Sequence, residues 1–157
     1  MSQRIKGDLS GNGLRIGIVI SRFNSEITEG LLRGAMRALI ASEISEKDIT
    51  IIEVPGAFEI PFAADLLAAT KKYDALIAIG CVIKGETAHF EYIADSAIRG
   101  IAEVGQKSGT PVSCGVLTTY TDEQAIARCG DNEENKGSEA AFTAIEMANM
   151  VKQLKGK

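Results

Sequence analysis

The sequence predicts an α/β domain of the flavodoxin-like kind, with three layers and a central four-stranded parallel sheet between helices. Three observations carry this expectation. Short Val- and Ile-rich runs alternate with longer segments whose apolar residues recur at helical spacing. Gly, Pro, Asn or Asp stands at the joints between them. The chain has 157 residues, 45% of them apolar, which is enough for one domain with a proper core and short for two. Residues 1–157 are therefore read as one domain with no linker, repeat or low-complexity segment.

The first strand is expected over "LRIGIVISRF", Leu14 to Phe23, a β-branched run suited to a strand buried on both faces. The helix after it, running to about Ser42, repeats Ile27, Leu31, Ala35 and Leu39 at helical spacing, with Asn24 or Ser25 placed to cap it. "DITIIEV" (Asp48 to Val54) is a second strand, broken by Pro55-Gly56 before a helical pattern from Ile60 to Ala69. "DALIAIGCVI" is a third strand. In the next helix Phe90, Ala94, Ala97, Ile101 and Val104 share a face, and "PVSCGVLTT" is the fourth strand. Two helices close the chain, roughly Asp122 to Cys129 and Lys136 to Leu154. Parallel neighbours need right-handed crossovers, which put helices on both faces of the sheet.

Composition removes several function classes. A formal net charge of -4, with no basic or aromatic stripe, argues against nucleic acid as a partner. The three cysteines lack C-x-x-C spacing, so neither a disulfide framework nor a zinc site is indicated, and no metal is expected. The polar N-terminal stretch has no signal-peptide core and no run is long enough to span a bilayer, so a cytoplasmic, membrane-free protein is expected.

Ligands of open parallel sheets bind outside the carboxyl ends of the strands, which directs attention to "SRFN", "PGAFEIP", "KGETAHF" and "TTYTDEQ". Gly80 to Thr87 matches the phosphate-loop pattern G-x-x-x-x-G-K-[ST] except that Glu86 replaces the lysine. Two readings stand for it. The amides of Gly85, Glu86 and Thr87 at a helix start could bind a single phosphate, the acid arguing against a triphosphate, or the glycines could mark an ordinary strand-to-helix turn. His89, the only histidine, is either a polar residue of a first helical turn or an acid–base group beside that phosphate. Phe23 is core or a stacking surface for a planar heterocycle. Glu59 is either a first-turn carboxylate favoured by the helix dipole or a binder of hydroxyls, and Arg128 either complements a helix end or forks a phosphate. No Ser-His-Asp arrangement or G-x-G-x-x-G supports acyl or hydride transfer.

Taken in order and spacing, "GLRIGIVISRFN", "VPGAFEIPFAA", "KYDALIAIGCVIKGETAHFEYIA", "GVLTTYTDEQAIAR" and "NKGSEAAFTAIEMANM" resemble the lumazine synthase family, over about Gly7 to Leu154. That resemblance implies condensation of 5-amino-6-(D-ribitylamino)uracil with 3,4-dihydroxy-2-butanone 4-phosphate to 6,7-dimethyl-8-ribityllumazine, without a cofactor, in riboflavin biosynthesis. It implies that Phe23 stacks on the pyrimidine, that Ala57, Phe58 and Glu59 hold the pyrimidine and ribityl chain, and that Cys81, Val82 and Ile83 line the same pocket. Glu86 and Thr87 would bind phosphate, with Arg128 closing over it from a neighbouring subunit, and His89 would shuttle protons.

Two departures accompany the match. Cys114 stands where members usually place an aromatic against the pyrimidine, and Asn132, Glu133 and Glu134 replace a basic residue and small ones. The acids either weaken phosphate attraction or form a solvated turn. The resemblance further implies a homopentamer, assembling into a sixty-subunit icosahedral shell, with residues 1–13 pairing with a neighbour and riboflavin synthase as a candidate partner. Two rivals stand beside this reading, a binding module without turnover and a shell whose site is disabled.

Overall fold

A computed structural model describes residues 1–156. Its element order is β1 (Ile16–Ser21), α1 (Ser25–Ala41), β2 (Ile49–Val54), α2 (Ile60–Ala69), β3 (Ala75–Ile83), α3 (His89–Ser108), β4 (Val112–Thr119), α4 (Asp122–Ile126) and α5 (Lys136–Lys155). All strand pairs are parallel and the order across the sheet is β2-β1-β3-β4. This is the expected three-layer α/β architecture, with the order reversing between β1 and β3.

The continuous apolar runs have a direct cause. β1 is buried along its whole length and β3 nearly so, because each lies between two other strands and under helices on both faces. One core forms where Ile16, Ile18 and Ile20 of β1 meet Leu31 and Leu39 of α1 and Ala141 and Ile145 of α5. On the other face Val19, Leu76 and Ala78 meet Ile60 and Ala64 of α2 and Ala97 and Ile101 of α3. A fully buried Ile or Leu contributes about 1.5–3 kcal/mol, so these two layers supply the main stabilisation of the sheet. β2 is an edge strand, and its burial is correspondingly patchy.

The α1–α5 contact depends on small residues. A Cβ on Gly137 would overlap the Leu31 carbonyl oxygen, so only glycine permits that approach. Residues 6–10 lie along α5: Asn149 Nδ2 donates to the Asp8 and Ser10 carbonyls and Gln153 Nε2 to that of Lys6.

Two local expectations are corrected. Neither Asn24 nor Ser25 caps α1 through its side chain; Asn24 adopts a left-handed conformation (φ 60°) at the N-cap position. Its Nδ2 instead donates to the Cys81 carbonyl at 2.9 Å, tying the start of α1 to the end of β3. The helix expected to reach Cys129 stops at Ile126, where turn-type bonds from Arg128 and Cys129 replace the helical ladder. Among the described residues no helix is long and apolar enough to cross a membrane.

Candidate active site

The carboxyl ends of β1, β2 and β3 open onto a cleft of about 560 Å³ at the point where the strand order reverses. Each strand delivers one part of its wall. Phe23 follows β1, and its backbone N–H donates to the Pro55 carbonyl at 3.0 Å, so the first two strand ends are tied together. Its ring is 71% exposed, which leaves a flat apolar face in solvent rather than in the core. Beyond β2, Pro55 ends the ladder and Ala57–Glu59 form a single 3₁₀ turn. Glu59 turns its Oε2 back to accept from the Gly56 N–H at 3.0 Å, so this carboxylate fixes the turn that presents Phe58. Phe58 is also largely exposed, at 57%.

β3 supplies the floor and the polar end. Cys81, Val82 and Ile83 line the cleft, and the Cys81 thiol is pushed up from 9.0 to about 12 by its burial first, then by Cys129 and Asp122. It is therefore a neutral wall residue at physiological pH. After β3 the Lys84 N–H still donates to the Thr119 carbonyl at 2.9 Å, and the ladder then ends. Among the described residues no acceptor is paired with the amides of Gly85, Glu86 or Thr87. Gly85 and Thr87 line the cleft; Glu86, between them, is exposed to solvent. A Cβ at Gly85 would meet no protein atom within 4 Å, so open space lies above the turn. α3 then begins at His89, whose backbone N–H donates to Thr87 Oγ1 at 3.4 Å. Free amides, an open volume and the positive end of a 20-residue helix converge at one place, an arrangement that suits an anion.

One cleft thus gathers Phe23, Ala57, Phe58, Glu59, Cys81, Val82, Ile83, Thr87 and His89. Cys114 and Arg128 lie elsewhere in the same chain. They line a second depression of about 290 Å³ along the free edge of β4, with Lys136 and Glu139 of α5. Arg128 Nη1 donates to the Gln124 carbonyl at 2.8 Å, so in one chain it completes the end of α4. The sequence reading missed Gly56, Phe90 and Ile93 as liners. Phe90 and Ile93 look like core positions of an amphipathic helix, and only the position of α3's first turn at the cleft mouth gives them a second role.

The acidic turn is a solvated one. Asp131 pairs with Arg37 at 2.7 Å, the Asn132 side chain accepts from the Glu134 N–H, and Glu133 and Glu134 are exposed. Asn135, by contrast, is 1% exposed and caps α5.

The model of the 6,7-dimethyl-8-ribityllumazine synthase family matches residues 13–152, which takes in every element from β1 through most of α5 and both depressions. Members of that family are transferases of riboflavin biosynthesis. The fold, the cleft at the reversal of strand order and a match over almost the whole chain agree, and the chain belongs to the 6,7-dimethyl-8-ribityllumazine synthase family.

Proposed function

We propose that the chain condenses 5-amino-6-(D-ribitylamino)uracil with 3,4-dihydroxy-2-butanone 4-phosphate to 6,7-dimethyl-8-ribityllumazine, and that the cleft between the ends of β1, β2 and β3 is where it does so. The observation that carries this is the pairing, in one cleft, of exposed aromatic faces with a turn of free amides beside the only histidine.

In this reading the pyrimidine stacks on Phe23, and the segment Ala57–Glu59 holds its edge and the ribityl hydroxyls. The phosphate of the ketone sits on the amides around Gly85, Glu86 and Thr87. The 5-amino nitrogen attacks the ketone carbon, and loss of water gives an imine. Removal of a proton from the adjacent carbon shifts the electron pair and expels phosphate. The resulting enol tautomerises to a carbonyl, which the ribitylamino nitrogen attacks, and a second loss of water closes the ring. Every step moves a proton, and His89 is the imidazole within the cleft placed to accept and return one. Positioning of the two reactants contributes most of the acceleration, since imine formation is intrinsically easy.

Cys114 and Arg128 act, in this reading, on the cleft of a neighbouring protomer in a homopentamer. Support comes from their separation from the cleft of their own chain and from their position on an unpaired sheet edge. The sixty-subunit shell, the N-terminal segment 1–13 pairing with a neighbour's sheet, and riboflavin synthase as a partner belong to the same proposal. So does a cytoplasmic location. Light scattering decides the assembly, a particle of five or ten chains ruling out the shell. The reaction is tested by mixing both substrates with the protein and reading lumazine absorbance against a protein-free control; no acceleration with pyrimidine still bound refutes it.

A further inference from the structure

Just outside the cleft, one exposed ring joins two parts of its polar end. Tyr120 follows β4, and its backbone is held by donation from its N–H to Gln124 Oε1 at 2.8 Å. The ring is 68% exposed, so it does not fill the core. It nonetheless has two neighbours. The Phe90 ring lies 6.2 Å away, centroid to centroid, at 43°, within the range of favourable tilted pairs. Lys84 Nζ lies over the Tyr120 ring, 5.6 Å from its centroid, within cation–π reach. Phe90 is the residue after His89, and Lys84 the residue before Gly85. A single ring from β4 therefore contacts both ends of segment 84–90, whose interior carries the free amides and the histidine.

We infer that Tyr120 is a positioning residue for the anion-binding turn. It holds the turn against the end of β4 and fixes the Lys84 ammonium over its own ring, one residue before amides whose own side-chain charge, that of Glu86, has the wrong sign for phosphate. Sequence pattern alone gives no reason to single it out, because an aromatic in "TTYTDEQ" is one exposed loop residue among several. The inference rests on the proposed function for the identity of the anion's carrier, and on geometry alone for the turn. The contacts are made by the ring, so phenylalanine should replace tyrosine here and alanine should not.

The test is calorimetric titration of the assembled protein with inorganic phosphate, together with separate KM values for the two substrates. Tyr120→Ala should raise the phosphate Kd and the KM of the phosphorylated ketone about five- to seventyfold, the range that losing one aromatic pair and one exposed cation–π contact gives. The KM of the pyrimidine should stay within about twofold, and Tyr120→Phe should match the wild type. Lys84→Met should weaken phosphate as well, and combining it with Tyr120→Ala should give less than the product of the two single effects. A phosphate Kd unchanged in Tyr120→Ala, an equal rise in both KM values, a Phe variant as weak as the Ala variant, or no phosphate binding by the wild type overturns the inference. Wild-type protein that binds phosphate but forms no lumazine refutes the proposed reaction instead, and the phosphate titrations still decide the role of Tyr120.

Discussion

Asn135→Ala should be among the most damaging single substitutions outside the cleft. The Asn135 side chain is buried between α1 and the start of α5, and a Cβ at Gly34 would overlap it. Its Oδ1 accepts from the N–H groups of Gly137 (2.8 Å) and Ser138 (3.1 Å), and its Nδ2 donates to the carbonyls of Gly30 (3.1 Å) and Gly130 (2.8 Å). Losing the N-cap costs about 1 kcal/mol. The buried Gly30 carbonyl and the part-buried Gly130 carbonyl each lose a donor, at about 1 kcal/mol net apiece. The sum, about 3 kcal/mol, corresponds to a fall of roughly 6–12 °C in Tm for a domain of this size. Thermal unfolding at fixed protomer concentration reads it, because the proposed assembly would make Tm depend on concentration. Asn132→Ala is the control: it removes one hydrogen bond from an exposed turn, and its Tm should move by no more than about 2 °C. Since the Gly130 carbonyl belongs to the segment that carries Arg128, the Asn135 variant should also raise the KM of the phosphorylated ketone. A Tm shift for Asn135→Ala no larger than that of the control would show that the buried cap does not hold α5 and the arginine segment together.

Further expectations concern the cleft and the thiols. His89→Ala should slow a single turnover by about 10- to 100-fold with pyrimidine affinity retained, because positioning survives the loss of the proton carrier; a complete loss of turnover would assign His89 a larger share. Gly85→Val should weaken binding of the phosphorylated ketone while leaving Tm unchanged, because its added atoms occupy open space above the turn rather than protein; equal substrate KM values in variant and wild type would place the phosphate elsewhere. Replacing Glu133 and Glu134 together by Gln should change that KM by less than about twofold, as expected for charges in a solvated turn. The Cys81 thiol binds its proton more tightly folded than unfolded, so its stabilising contribution is complete below pH 9 and is lost as pH rises toward 12. Cys81→Ala should flatten the loss of stability above pH 9 measured by urea titration, and a wild-type profile that is already flat there would contradict the burial of the thiol.

Much of this fold is legible in the residues themselves, for a physical reason. A parallel strand covered on both faces must be apolar throughout, so Ile16–Ser21 and Ala75–Ile83 stand out as continuous runs, and the helices between them show their buried stripe. The strand ends then follow, and with them Phe23, Phe58, Thr87 and His89. What escapes the sequence depends on where separate segments meet. Asn24 has the right residue type and position for a cap, yet its amide is used by the Cys81 carbonyl, 57 residues away in the chain. Asn135 looks like one more polar residue in a turn until Gly30, 105 residues distant, is seen to be its partner. Phe90 satisfies the helical stripe and the cleft at once, and periodicity reveals only the first role. That Arg128 stands apart from the cleft of its own chain was implied only by family resemblance, and that Cys114 does so was not foreseen at all, since no spacing rule encodes which residues of an edge strand reach a cleft two strands away.

The condensation itself is tested most directly by one single-turnover mixing, with wild-type protein in excess over both substrates, in which lumazine absorbance and inorganic phosphate are followed together. The account predicts equal final amounts of the two, both formed faster than without protein, with phosphate never lagging behind lumazine because it leaves before the ring closes. Phosphate release without lumazine, or neither product above the protein-free rate, would contradict it.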